Sequence, residues 1–250
     1  MSVKENVVSL NFIIKIQKMH EFYNDYLNTA LKSSANIDLT NKCILQCVFC
    51  MRQRETGKEK IKRSRDMPFD DFKKVTKTFK RIHLCGQLSD PIYHPEFIKY
   101  LKYAEQNSNK IGVHTNGSGK KLKFWKEAFE VNNVKWTFGI DGIDQKTVEL
   151  HRIGQKFLSA FKAMLLGSKK HLVNWQFIPF KHNEHQIPRA MKIALKYKLS
   201  FVLLKSNRWQ VDRVIIVNNK KINPYWIEPP SKNNITPHQG EPTREIWASD

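Results

Sequence analysis

From residue 36 onward the apolar positions follow two alternating rhythms. Short apolar runs predict strands at Asn36–Leu39, Arg81–Leu84, Lys110–His114, Val134–Ile140, Leu172–Ile178 and Phe201–Leu204. Between them, apolar residues at helical spacing predict helices from Met67 to about Phe79, from Pro95 to about Gln106, over Leu122–Glu130, from Asp144 to about Gly167, and over Ile187–Lys198. The fourth of these is interrupted at Arg152-Ile153-Gly154. Pro68 in a first turn, with Asp70 and Asp71 behind it, suits the positive end of a helix dipole. Asn183-Glu184-His185-Gln186 has capping-box spacing, which makes Asn183 a helix cap rather than a substrate contact. Six strands alternating with helices predict an α/β domain on a parallel sheet, open or closed into a barrel.

The flanks read differently. Phe12, Ile16, Met19, Phe22, Tyr23, Tyr26, Leu27 and Leu31 recur at helical spacing, so residues 1–35 are expected to form an N-terminal helical extension. The main domain is expected over 36–206. Residues 207–250 are expected to be a partly irregular tail, with one more strand at Val211–Asn218 and a turn at Asn218-Asn219. No apolar run approaches the ~20 residues needed to span a bilayer, and Asn11 and Lys15 interrupt the first apolar patch. A cytoplasmic protein with no membrane contact is the expectation.

A formal charge of +20 changes this picture only locally. Lysines are scattered over nearly every segment, which favours solvated helix faces over a dedicated nucleic-acid surface. One cluster stands apart. Arg52, Arg54, Lys58, Lys60, Lys62, Arg63 and Arg65 lie in what reads as a loop, and are candidates for holding an anionic substrate.

The candidate chemistry sits just before that cluster. Three of the four cysteines form Cys43-x3-Cys47-x2-Cys50, directly after the first strand. Thiolates favour zinc or iron–sulfur centres over hard cations. A structural zinc site normally uses four protein ligands, and this loop offers three. Cys85 stands alone at the end of an apolar strand and reads as a small buried hydrophobe. The histidines show no metal-type pairing, and His182 and His185 read as surface residues. The cysteine loop, the Cys85–Asp90 loop, Thr115-Asn116, Asp141 and Lys205 each follow a strand, which would bring them to one mouth of the sheet.

The cysteine loop, with Phe49 before its third cysteine, resembles that of the radical S-adenosylmethionine (radical SAM) enzymes, over about Asn36 to Ser206. The resemblance implies a partial (β/α)6 TIM-type barrel. It implies that Cys43, Cys47 and Cys50 ligate three irons of a [4Fe–4S] cluster and that S-adenosylmethionine chelates the fourth. Reductive cleavage of that cofactor would give a 5′-deoxyadenosyl radical, which abstracts hydrogen from a substrate. Cys85-Gly86-Gln87-Leu88-Ser89-Asp90-Pro91 resembles the family's Gly-Gly-Glu-Pro-type motif, with His94-Pro95 behind it. Aligned on Pro91, Asp90 takes the amine-binding place; aligned on Gly86, Gln87 does. A carboxylate pairs with an ammonium more strongly than an amide, which favours Asp90. Thr115-Asn116-Gly117 and Gly139-Ile140-Asp141-Gly142 resemble the third and fourth strand endings. The cofactor-binding residues implied are Phe49 near adenine, Gly86, Asp90, Asn116, Asp141 on the ribose hydroxyls, and Arg152 on the methionine carboxylate.

The family also implies a flavodoxin- or ferredoxin-like electron donor. No cysteine follows Cys85, so a C-terminal auxiliary-cluster domain is not expected, which weakens any transfer of a peptide-modifying role. The substrate is left open between anionic and peptide classes. The competing reading is a non-catalytic metal-binding module with a basic nucleic-acid-binding surface.

Overall fold

All six strands of the predicted main domain are present, and they pair in chain order as one parallel sheet. They are β1 (Ser34–Asn36), β2 (Arg81–Cys85), β3 (Lys110–Thr115), β4 (Val134–Gly139), β5 (Val173–Phe177) and β6 (Ser200–Leu203). This computed structural model describes residues 34–48, 50–204, 215–217, 220–222 and 230–231. The expected N-terminal helix, Phe49, Lys205, the Asn218-Asn219 turn and most of the tail lie outside the described residues. Of the expected Val211–Asn218 strand, Ile215–Val217 (β7) is described, paired antiparallel with Lys220–Ile222 (β8).

Strand alternation gives the sheet two unlike faces. One carries Ile82, Leu84, Ile111, Val113, Trp136, Phe138, Trp175 and Phe177, all within the buried core. The other carries His83, Cys85, His114, Lys135, Thr137, Asn174 and Gln176. The helices cover the apolar face: α2 (Phe69–Thr78), α3 (Phe97–Gln106), α4 (Leu122–Ala128), α5 (Gln145–His151), α6 (Phe157–Gly167) and α7 (Ile187–Lys196). Between them Phe72, Tyr100, Trp125 and Phe129 complete an aromatic core, with Trp125 and Trp136 rings 6.0 Å apart. Burying each such side chain stabilises the fold by roughly 1.5–3 kcal/mol. Among the described residues β1 and β6 do not pair, so the sheet curves without closing. No helix among the described residues is long and apolar enough to cross a membrane.

Three sequence expectations need correction. The first strand lies two residues early, at Ser34–Asn36, because the ladder stops after the Ile37 N–H donates to His83 O at 2.8 Å. Asp38 instead accepts from Ser89 Oγ at 2.8 Å, and Leu39 O accepts from Met67 N. Second, the basic stretch is no loop: Glu55–Arg63 forms a helix, α1, with Lys58–Glu55 and Lys62–Glu59 pairs on its surface. Its only buried residue is Gly57, so it has no apolar stripe to betray it. A Cβ at Gly57 would lie 1.9 Å from the Met51 carbonyl oxygen, so glycine is what lets α1 fold back onto the turn after Cys50. Third, His182 is buried, with its ring stacked on Phe180 at 5.4 Å.

Candidate active site

The cysteine loop crosses the C-terminal edge of the sheet and is pinned there by its backbone. Gln46 N donates to Ile153 O at 3.0 Å and Val48 N to His151 O at 2.9 Å, while Lys42 O accepts from Asp90 N at 3.0 Å. Arg52 Nη1 reaches Asn41 O at 2.6 Å and Leu88 O at 2.7 Å. That guanidinium therefore ties the cysteine loop to the β2 loop, and it is not a free anion holder. All four cysteines are free thiols: Cys47 is buried, and Cys43, Cys50 and Cys85 are partly exposed.

Asp90 and Asn116 link the next two strand ends. The fully buried Asp90 carboxylate accepts from the Asn116 N–H at 2.7 Å, Thr115 Oγ1 at 3.0 Å and the Ile92 N–H at 3.3 Å. Burial pushes its pKa up to about 6, although these three donors pull the other way. Asn116 turns its amide to the cysteines: Nδ2 lies 3.8 Å from Cys43 Sγ, and Oδ1 accepts from Ser118 N at 2.8 Å. Tyr93 Oη donates to Ser118 O at 2.6 Å, closing this corner. Gly86 makes the turn before Asp90 sterically feasible, since a Cβ there would lie 2.3 Å from Ser89 O. Gln87 donates its N–H to Asp38 at 3.3 Å. Asp90, by contrast, is the carboxylate joined directly to the β3 end.

Asp141 organises the other side. Its carboxylate, fully buried, lies 2.6 Å from Arg152 Nε, 2.7 Å from His151 Nδ1 and 2.8 Å from the Ile178 N–H. Burial alone would raise its pKa, but Arg152 and His151 hold it below the usual carboxylate range. Burial likewise opposes the Arg152 charge, which Asp141 and then Cys47 and Cys50 restore, so the guanidinium sits between the carboxylate and the thiols. Gly139 leaves room for it: a Cβ there would lie 2.6 Å from Arg152 Nη2.

Sequence reading missed one supporting residue, Gln155, and gave another, Asn183, a different role. Gln155, in the break between α5 and α6, donates from Nε2 to Asn116 O at 2.6 Å and Gly139 O at 2.9 Å, clamping the β3 and β4 ends together. Its signal was a polar residue directly after the helix interruption. Asn183 makes no cap bond to the following helix. Instead its Nδ2 donates to Asp141 O and Ile178 O, and its Oδ1 accepts from Phe180 N. The capping-box reading is thus corrected: Asn183 fixes the loop beneath Asp141.

The donor set fits an iron–sulfur centre. Three soft thiols lie on one pinned loop, with an arginine charge against two of them and an amide donor on the third. Burial, then Asp90, pushes the Cys43 thiol up to about 12, so a metal there must displace a proton. Among the described residues no three Cys, His, Asp or Glu side chains yet converge on one point.

Comparison with known proteins identifies the family. The chain is 22% identical over 183 residues to the tungsten-containing aldehyde ferredoxin oxidoreductase cofactor-modifying protein of Pyrococcus furiosus, covering 68% of this chain and 50% of that protein. It thus spans about half the length of the curated relative it matches. Its fold is similar to that of Streptococcus suis SuiB bound to S-adenosylmethionine, with TM-score 0.62 and 14% identity over 91% of this chain and 51% of that one. It is also similar to methylornithine synthase (PylB), with TM-score 0.53 and 13% identity over 69% and 52% of the two chains. The family model described as the Radical SAM superfamily matches residues 37–192, from just after β1 into α7. The chain therefore belongs to the radical SAM superfamily, whose enzymes use a [4Fe–4S] cluster and S-adenosylmethionine.

Proposed function

We propose that this protein is a radical SAM enzyme in which Cys43, Cys47 and Cys50 hold the cluster and Asp90, Asn116 and Arg152 hold S-adenosylmethionine. When bound, cluster and cofactor together supply an electron to the sulfonium and a 5′-deoxyadenosyl radical that takes hydrogen from the substrate. The protein's own residues bind, orient and exclude water. Asp90, ionised at neutral pH, serves the methionine ammonium. Arg152 neutralises thiolate charge and faces the methionine carboxylate. Asp141, which accepts from Arg152 and the Ile178 N–H and contacts His151, is proposed to position Arg152. Phe49 is proposed to pack near adenine.

The observation that carries this reading is the position of Asn116. Its backbone N–H is on Asp90 and its side chain is on Cys43, which supports reading an amine site beside a metal site.

The electron donor is proposed to be an acidic flavodoxin- or ferredoxin-like protein docking on α1, whose exposed Lys58, Lys60 and Lys62 lie next to the Cys50 turn. Free thiols of this kind fit a reducing compartment such as the cytoplasm. Anaerobic reconstitution tests the reading. About four irons and four sulfides per chain are expected, with 5′-deoxyadenosine released on reduction in the presence of S-adenosylmethionine. A single tightly held zinc and no cofactor cleavage would favour the non-catalytic module.

A further inference from the structure

We propose that the polar face of the sheet binds an oxyanion group of the substrate through Lys135, His114 and Gln176; the inference rests on the radical SAM reading. Strand register sets these residues at successive levels of one face, running toward the mouth. Lys135 pairs with Gly112 across β3–β4, and His114 with Thr137 two positions further up the same strands. Gly139 pairs with Gln176 across β4–β5, one step nearer the mouth where Arg152 passes. All three side chains rise from the face opposite the aromatic core and are half-buried, so a ligand on this face reaches them without displacing the core.

The chemistry of this face points to an anion. In an ordinary barrel interior, a half-buried lysine is expected to meet a carboxylate. Here the side chains of Lys135, His114 and Gln176 make no hydrogen bond or ion pair with another described side chain. The charged groups that act on His114 are themselves basic. The His83 ring lies over Gly112, 2.6 Å from where a Cβ would stand, and so next to Lys135 in register. Burial, then His83 and Lys135, lower the His114 pKa to about 4, so its ring is neutral at pH 7 and gains a proton most readily beside an anion. The carboxylates nearest this face are engaged elsewhere: Asp38, on the strand-β1 side, with Ser89 and the Gln87 N–H, and Asp141, beyond Gly139, with Arg152, His151 and the Ile178 N–H. A cationic group, an imidazole and an amide form a recognition set for a carboxylate or phosphate oxygen.

Titration of the 250-residue chain with inorganic phosphate and, separately, with acetate tests this and distinguishes the two sources. The probe is the His114 ring signal, followed by NMR and assigned with His114→Gln. A saturable shift with either anion, accompanied by a rise in the His114 titration midpoint, is expected. Lys135→Gln should weaken binding at least about tenfold, whereas Lys135→Arg should keep it. No saturable shift with either anion, or equal binding in Lys135→Gln, overturns the proposal. Release of 5′-deoxyadenosine by the wild-type protein, measured without added anion, reports separately on the radical SAM reading. Its failure sinks that reading, whereas cofactor cleavage without anion binding sinks this inference alone.

Discussion

Arg152 and Asp141 form a buried ion pair, Nε to Oδ2 2.6 Å, at the foot of the segment whose backbone carbonyls hold the cysteine loop. His151 O and Ile153 O flank Arg152 and accept from Val48 and Gln46, so the ion pair and the cysteine backbone move as one unit. Truncating Arg152 leaves a carboxylate buried against His151 without its main counter-charge. Arg152→Ala should therefore cost about 3–5 kcal/mol, read as a lower urea midpoint. Iron content after reconstitution should fall with it. An unchanged midpoint would show that the pair contributes nothing to the loop's anchorage.

Gly139→Ala tests the same unit by crowding it. The added methyl would meet Arg152 Nη2 at 2.6 Å, and the guanidinium is restrained by Asp141. A loss of about 1–3 kcal/mol is expected, visible as a lower thermal midpoint. Gly142→Ala is the control, since its nearest neighbour would be Thr147 Cγ2 at a less severe 3.1 Å.

Asp90 gives the cofactor site a pH dependence. Its folded pKa of about 6 stands above the ordinary 3.8. The stability contributed by its protonated form is thus complete below 3.8 and lost as pH rises through about 6. Binding an ammonium requires the ionised form, so the sign for cofactor affinity is opposite. Affinity for S-adenosylmethionine should fall roughly tenfold from pH 7 to pH 5, measured by calorimetry on reconstituted protein. Asp90→Asn should weaken binding at pH 7 and flatten the profile. A profile unchanged by that substitution would move the amine contact to Gln87 or elsewhere.

The cysteines separate by variant. Cys43→Ser, Cys47→Ser and Cys50→Ser should each lose most of the reconstituted iron. Cys85→Ser should keep it: Cys85 lies on the polar face of β2, its Sγ 3.5 Å from Asn36 Oδ1, apart from the pinned loop. Iron content by colorimetric assay decides. Full loading of a Cys47→Ser protein would contradict the assignment.

The sheet was legible because its strands are bounded by turn residues and its apolar positions repeat with a clear period: Trp136 and Phe138, or Trp175 and Phe177, announce one buried face. Helix α1 was not legible, because it buries only Gly57 and its order comes from Glu–Lys pairs and the Met51 turn. The spacing did locate the cysteine loop and the strand ends that the structure brings to one edge of the sheet. The contacts of Asp141, Gln155 and Asn183 were not legible, because each reaches ten or more residues along the chain: Asp141 to Arg152, Gln155 to Asn116 and Gly139, Asn183 to Asp141. Asn183 misled for a physical reason, since the residue type that caps a helix also suits bridging loop carbonyls. The Asn-Glu-His-Gln spacing carries no information about which donors a buried loop leaves unmet.

The central claim is that three thiolates leave one iron open for S-adenosylmethionine. Electron paramagnetic resonance of the reconstituted, reduced protein tests it most directly, recorded with and without the cofactor. The account predicts a cluster signal that changes shape and position when S-adenosylmethionine is added, and that is absent from the Cys43→Ser protein. A cluster signal identical with and without the cofactor would contradict it.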